Sequence, residues 1–263
     1  MELIDIGVNL GHRSFDRDRD AVIERAGNTG VRRMIVTGTS LDSSRTAAEL
    51  AAMRPGTLYS TAGVHPHNAG RTSLNSLSTT LRTLAGLKEV VAIGECGLDF
   101  NRDFSARPDQ EKVFEAQLEL ACELKKPIFL HERDAHSRFV QMLKSHRGDL
   151  VQCVVHCFTG NEDELRTYLD FGCHIGITGW IADTRRGLHL RELVRLIPGD
   201  RLMLETDAPF LLPRNLKRAV ASGRNEPAFL RHVLTAVAEC RSEDEEAVAR
   251  ITTDTATEFF QLS

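Results

Sequence analysis

Short apolar runs alternate with amphipathic stretches from one end of the chain to the other. The runs fall at residues 3–8, 32–37, 58–63, 90–94, 128–130, 151–155, 173–177 and 201–205. Most are continuously apolar rather than alternating, the pattern of parallel strands covered on both faces. Between them, Leu74, Leu77, Leu81 and Leu84 share one helical face, as do Leu190, Leu193, Val194 and Ile197. Asn161, ahead of Glu162, Asp163 and Glu164, predicts a helix N-terminus, because a side-chain oxygen there satisfies free N–H groups and the dipole favours anions. Pro227 suits a first helical position before the stripe Leu230, Val233, Leu234 and Val237, and residues 247–260 read as a final helix.

Eight strand–helix units in 263 residues match a (β/α)8 TIM barrel, whose usual size is about 250 residues. A doubly wound sheet would want a glycine-rich turn after the first strand, but Gly7 to Gly11 contains no G-x-G-x-x-G. A single TIM-barrel domain over residues 1–263 is the expected organisation. Composition changes this picture little. A net charge of −4 with 27% charged residues excludes a disordered polyelectrolyte and a uniformly basic surface that wraps duplex nucleic acid. No apolar run approaches the roughly 18 residues of a membrane span, and no basic segment precedes the first apolar stretch. The six cysteines form no C-x-x-C pair, so reduced thiols and a cytoplasmic location are expected. A monomer with no membrane partner is the expected state.

Polar residues that carry chemistry cluster at the C-terminal ends of the predicted strands. His65 and His67 follow the third strand, Glu95 the fourth, His131 the fifth, His156 the sixth and Asp207 the eighth. In a parallel barrel these ends share the face on which active sites lie. Glu95, His131, His156 and Asp207 together offer two carboxylates and two imidazoles, a donor set for Mg²⁺, Mn²⁺ or Zn²⁺ with positions left for water. Singly, each has a plainer reading: a hydrogen-bonded loop histidine, a strand-end ion pair, or a turn aspartate before Pro209. Their shared strand-end register favours the metal site.

The stretches Gly63-Val64-His65-Pro66-His67, Val91-Ala92-Ile93-Gly94-Glu95-Cys96-Gly97-Leu98-Asp99-Phe100, Val155-His156-Cys157-Phe158-Thr159-Gly160, Glu205-Thr206-Asp207-Ala208-Pro209 and Arg224-Asn225-Glu226-Pro227 resemble the TatD family of metal-dependent deoxyribonucleases. The resemblance covers nearly the whole chain, with the motifs in the family's order. It implies an amidohydrolase-like TIM barrel that cleaves DNA, often from a 3′ end, with a divalent metal. It also implies that Glu95, His131, His156 and Asp207 are metal ligands and that His65 is a pocket histidine near metal or phosphate. Many members carry His-x-His at the end of the first strand; Gly7 and Asn9 stand there in this chain. Glu132 replaces a cysteine frequent in the family.

The expected reaction is 3′–5′ hydrolysis of phosphodiesters in single strands or ends, in DNA repair or degradation, with RNA a second possible substrate. Glu95, Asp207 and His65 are the expected catalytic residues, Asp207 as general base. Local cations are expected to hold the backbone: Arg133, Arg185, Arg186 and Arg224, with His67, and also Arg214, Lys217 and Arg218; Trp180 and Phe158 are candidates to stack on bases. A hydrolase of other esters or amides, such as aminoacyl-tRNA, and a non-catalytic barrel remain as alternatives.

Overall fold

Eight strands, most of them buried along their whole length, run in the order in which they occur in the chain. They are β1 (Leu3–Val8), β2 (Val31–Val36), β3 (Leu58–Ala62), β4 (Val90–Asp99), β5 (Ile128–Arg133), β6 (Cys153–Val155), β7 (His174–Ile177) and β8 (Leu202–Leu204), in one sheet of order β1-β2-β3-β4-β5-β6-β7-β8. The helices are α1 (Arg19–Asn28), α2 (Leu41–Met53), α3 (Leu74–Ala85), α4 (Arg107–Leu124), α5 (His136–His146), α6 (Glu162–Asp170), α7 (Leu188–Leu193), α8 (Leu230–Arg241) and α9 (Glu245–Phe260). This is the (β/α)8 succession of the TIM barrel, as the apolar periodicity predicts. The structure is a computed structural model and describes residues 1–214, 216 and 223–262; Lys217 and Arg218 lie outside them. Among the described residues no helix is long and apolar enough to cross a membrane.

Two compact units make up the chain: Met1–Ile35, Cys157–Asp170 and His174–Ser263 in the first, Val36–His156 and Phe171–Cys173 in the second. In the first unit β7 pairs with β8 in parallel, Ile175 opposite Leu202 and Ile177 opposite Leu204, while Val8 bridges to Ala208. Asn161 caps α6 reciprocally: its Oδ1 accepts from the Glu164 N–H at 3.1 Å, and its own N–H donates to Glu164 Oε2 at 2.9 Å. Two orphan donors of the first turn are thereby satisfied.

In the second unit β3, β4, β5 and β6 pair in parallel. β4 runs to Asp99 and β5 to Arg133, both longer than the apolar runs predict. The ladder continues through polar residues because Gly97 pairs opposite His131 and Asp99 opposite Arg133, past a register shift between Gly94 and Cys96. Gly97, at φ 145°, brings its Cα so near the His131 carbonyl that any Cβ would collide with it. Two buried glutamines of α4 then fix the strand exits. Gln117 Oε1 accepts from Val64 N–H at 2.8 Å and its Nε2 donates to Val64 O at 3.1 Å. Gln110, two turns earlier on the same face, brackets Asp99 in the same way, accepting at 2.9 Å and donating at 3.1 Å. Each amide completes a backbone that leaves its sheet inside the protein, where an unmet N–H or C=O is costly.

Candidate active site

The end of β3 leads through Gly63 and Val64 to His65, which caps a 3₁₀ turn over Pro66–Arg71 by accepting the His67 N–H on Nδ1 at 3.1 Å. Gly63 has no Cβ because the Gly94 backbone occupies that space, and this close approach brings His65 beside Glu95 on β4. Glu95 is buried, and its N–H donates to Gly38 O at 2.8 Å.

Three imidazoles converge on one oxygen of Glu95. Its Oε1 lies 2.7 Å from His156 Nε2, 3.0 Å from His131 Nδ1 and 3.4 Å from His65 Nε2. Burial pushes the Glu95 carboxyl up, but the electrostatic pull of the neighbouring His156 and His65 imidazoles and the hydrogen bonds of His131 and His156 outweigh it and hold it well below the usual carboxylate range. His65 moves the other way: burial drives it down to about 3, against the attraction of Glu95 and with the repulsion of the other imidazoles. A neutral imidazole beside an ionised carboxylate is the protonation state that metal ligation requires.

Behind this cluster stands Asp99, four residues along β4 from Glu95, with the His131 ring between the two carboxylates. Its Oδ2 lies 2.6 Å from His67 Nε2 and 3.6 Å from His131 Nε2, the second too long for a hydrogen bond. Its Oδ1 accepts from the Asn101 and Arg102 N–H groups at 3.0 and 2.8 Å. Burial raises its carboxyl, yet the imidazoles of His131 and His67 and the Arg102 N–H together lower it far below the usual range. Sequence reading passed over Asp99. The spacing to Glu95 gives no signal for it, because the register shift at Glu95 breaks the two-residue alternation of the strand.

The donor set fits a divalent cation. His65, Glu95 and His131 each present a ligand atom within 4.8 Å of the others, and His131 Nε2 is buried without a hydrogen-bond partner. A buried imidazole nitrogen without a hydrogen-bond partner beside carboxylates suits a cation ligand.

Asp207 belongs to the first unit, just beyond β8, in left-handed backbone at φ 52°. Its N–H donates to Gly7 O at 2.8 Å, and its Oδ1 accepts from Asn9 Nδ2 at 2.9 Å. Asn9 therefore holds the carboxylate of Asp207 through an amide. Two buried carboxyls of this unit, also missed, organise its backbone: Glu205 accepts the Cys157 N–H, and Asp5 accepts the Gly7 and Thr206 N–H groups at 3.2 and 2.9 Å.

The expected phosphate cations divide by their partners. Arg224 is committed to Asp18 at 2.7 and 2.9 Å, Glu226 at 2.7 Å and Ser14 O at 2.6 Å, which makes it a brace between chain segments. Arg186 and Arg214 share Asp183 Oδ2 at 3.2 and 2.9 Å, Arg185 approaches Asp183 Oδ1 at 4.0 Å, and Arg186 lies over the Trp180 ring at 4.2 Å. Phe158 is buried against Tyr168 and serves packing. Glu132 Oε1 accepts the Ala135 N–H at 2.7 Å, ahead of α5. Cys96 is buried, and burial raises its thiol, the behaviour of a packing residue.

A (β/α)8 sheet that carries a carboxylate ringed by imidazoles at its strand ends defines a metal-dependent TIM-barrel hydrolase. The chain belongs to the TatD-related DNase family, whose profile matches residues 4–261. It is 51% identical over 260 residues to a 3′-5′ ssDNA/RNA exonuclease TatD of Musicola paradisiaca, covering 99% of this chain and 98% of that one. It is 52% identical over 261 residues to the protein of that name from a Rahnella species, covering 99% of both. Among solved structures, a TatD homologue from Escherichia coli superposes with TM-score 0.89 at 27% identity, over 99% of this chain and 98% of that one. A TatD-family hydrolase from Entamoeba histolytica superposes with TM-score 0.90 at 25% identity, over 100% and 99%.

Proposed function

We propose that this chain is a divalent-metal-dependent nuclease that hydrolyses single-stranded DNA, and RNA, from the 3′ end. The observation that carries the reading is the convergence of His65, His131 and His156 on Glu95 Oε1, in a chain half identical to proteins named for that activity. Residues 1–263 act in this reading as one TIM-barrel domain, a cytoplasmic monomer in DNA repair or degradation.

Glu95, His131 and His156, with His65, would hold the cation, and Asp207 is carried forward as a further ligand. A divalent ion held there would supply Lewis-acid polarisation of a phosphoryl oxygen and would make water more acidic. The proposed ion is Mg²⁺, while Mn²⁺ and Zn²⁺ suit the imidazole share of the site better. The side chains do the remainder. Asp207, its carboxylate oriented by Asn9, takes the proton of the attacking water as general base. His67, fixed by Asp99, donates to the phosphate. His65 stays neutral because it is buried, so it serves as ligand or donor without adding charge.

The test is digestion of 5′-labelled single-stranded DNA with Mg²⁺, Mn²⁺ or chelator, comparing wild type with Glu95→Ala and Asp207→Asn. Metal-dependent shortening from the 3′ end that is lost in both variants is the expected result. Undiminished cleavage in either variant rejects that residue's assignment, and metal-independent cleavage rejects the mechanism.

A further inference from the structure

We infer that Phe104 is a nucleobase platform, on which an unpaired base of the substrate stacks while Arg102 and Arg133 take flanking phosphates. The inference rests on the nuclease reading and adds the part of the molecule that recognises a single strand.

Phe104 is 69% exposed. A solitary exposed phenylalanine on a loose loop would mean little, but this loop is fastened on both sides of the ring. Ahead of it, Asp99 Oδ1 holds the Asn101 and Arg102 N–H groups, and Asn101 Nδ2 donates to Asp134 Oδ2 at 2.6 Å. Behind it, the buried Ser105 donates through Oγ to His67 O and accepts the Gly70 N–H, both at 3.0 Å. Arg107 pairs with Asp103 at 2.8 Å and lies 4.4 Å over the Phe100 ring. The fold spends several hydrogen bonds to present an apolar ring to water in one place.

That place is next to the imidazole cluster. Phe104 meets His67 edge-to-face with ring centroids 4.7 Å apart, and His67 meets His65 at 4.2 Å. Two ring contacts thus connect the exposed face to the residue beside Glu95. Arg102 is exposed, Arg133 stands opposite Asp99 in the ladder, and neither makes an ion pair among the described residues. Among the described residues, Arg185, Arg186, Arg214 and Arg224 each have a carboxylate within 4.0 Å. An aromatic ring with uncommitted guanidinium groups is the combination that holds single strands without regard to sequence, since every base has a π-face. A base inside a duplex cannot offer that face, so the platform selects single strands and frayed ends.

The experiment measures binding of a fluorescent single-stranded oligonucleotide by anisotropy in chelator, so that it decides the question whether or not cleavage follows. Phe104→Ala should weaken binding about tenfold, a value inside the range of one stacked base, and Phe104→Trp should match wild type. An oligonucleotide with abasic residues at its 3′ end should bind wild type more weakly and show no further loss with Phe104→Ala. Arg102→Ala and Arg133→Ala should each flatten the dependence of log Kd on log salt by about 0.7. Unchanged binding by Phe104→Ala, or an equal loss on the abasic strand, overturns the platform. Unchanged salt slopes overturn the role of the two arginines. Failure of wild type to cleave with metal counts against the nuclease reading and leaves the binding comparison to decide this one.

Discussion

Asp99 Oδ2 lies 2.6 Å from His67 Nε2, a contact that joins the exit of β4 to the turn after β3. Because Asp99 also faces His131 Nε2 at 3.6 Å, a single carboxylate orients one histidine and biases a second that can ligate metal. Supports of this kind fix ring orientation and ligand basicity.

Asp99→Asn keeps the acceptor for the Asn101 and Arg102 N–H groups and removes only the charge. It should lower nuclease activity by about 10-fold to 100-fold, the usual effect of losing a carboxylate behind a histidine ligand. Rates measured against Mg²⁺ concentration, with circular dichroism as a control for folding, check this. Wild-type rates in a folded variant would remove Asp99 from the site.

Cation binding should show in stability as well as in rate. A ligand that binds only the folded chain stabilises it by RT ln(1 + [L]/Kd). The melting temperature of wild type should therefore rise with added Mn²⁺ and fall back with chelator. His131→Ala, which deletes the unmet Nε2, should lose most of that rise. An equal rise in the variant would place the ion elsewhere.

Asp5 predicts a pH dependence. Burial pushes its carboxyl up to about 8 from an ordinary 3.8, against hydrogen bonds from Thr206 and Gly7 and with the nearby charge of Glu205. Between these values the folded state keeps a proton that the unfolded state has released, so this group's contribution to stability falls as pH rises from about 4 to about 8. Asp5→Asn presents a neutral side chain of the same shape, with an N–H for Thr206 Oγ1. The fall in urea midpoint between pH 5 and pH 8.5 should be smaller in the variant. An identical fall would show that Asp5 does not titrate in that window.

Arg224 should matter for stability rather than for substrate. The Asp18 carboxyl is lowered to about 2, first by the Arg224 hydrogen bond and, against the opposing effect of burial, also by Arg25. A depressed carboxyl contributes stability above its unfolded value, lost as pH falls through the folded one. Arg224→Ala should thus destabilise by about 1 kcal/mol near neutral pH, a modest figure because Asp18 is partly solvent-screened, and by less at pH 2. Its KM for single-stranded DNA should stay within about twofold of wild type, less than one lost phosphate contact is worth. A large rise in KM with unchanged unfolding would return Arg224 to the phosphate rim.

Local pattern carried the fold. Short continuous apolar runs alternating with amphipathic helical stretches suit parallel strands covered on both faces, so their number and spacing predicted a (β/α)8 sheet, and the reciprocal cap at Asn161 follows from side-chain chemistry within one turn. Glu95, His131 and His156 were legible for the same reason: polar groups that end apolar strands share one face of such a sheet. Sequence alone could not show which polar groups face one another across long separations. Asp99 continues a strand that reads as a loop because its ladder partners lie on β5, and Gln110 and Gln117 look like ordinary helix polar residues until the strand exits they complete are in place. Arg224 looked available for phosphate because its partner, Asp18, lies far away in the chain. Periodicity is a property of neighbours and survives in one dimension, whereas pairing, burial and the shifts of acidity they cause arise only when packing brings distant residues into contact.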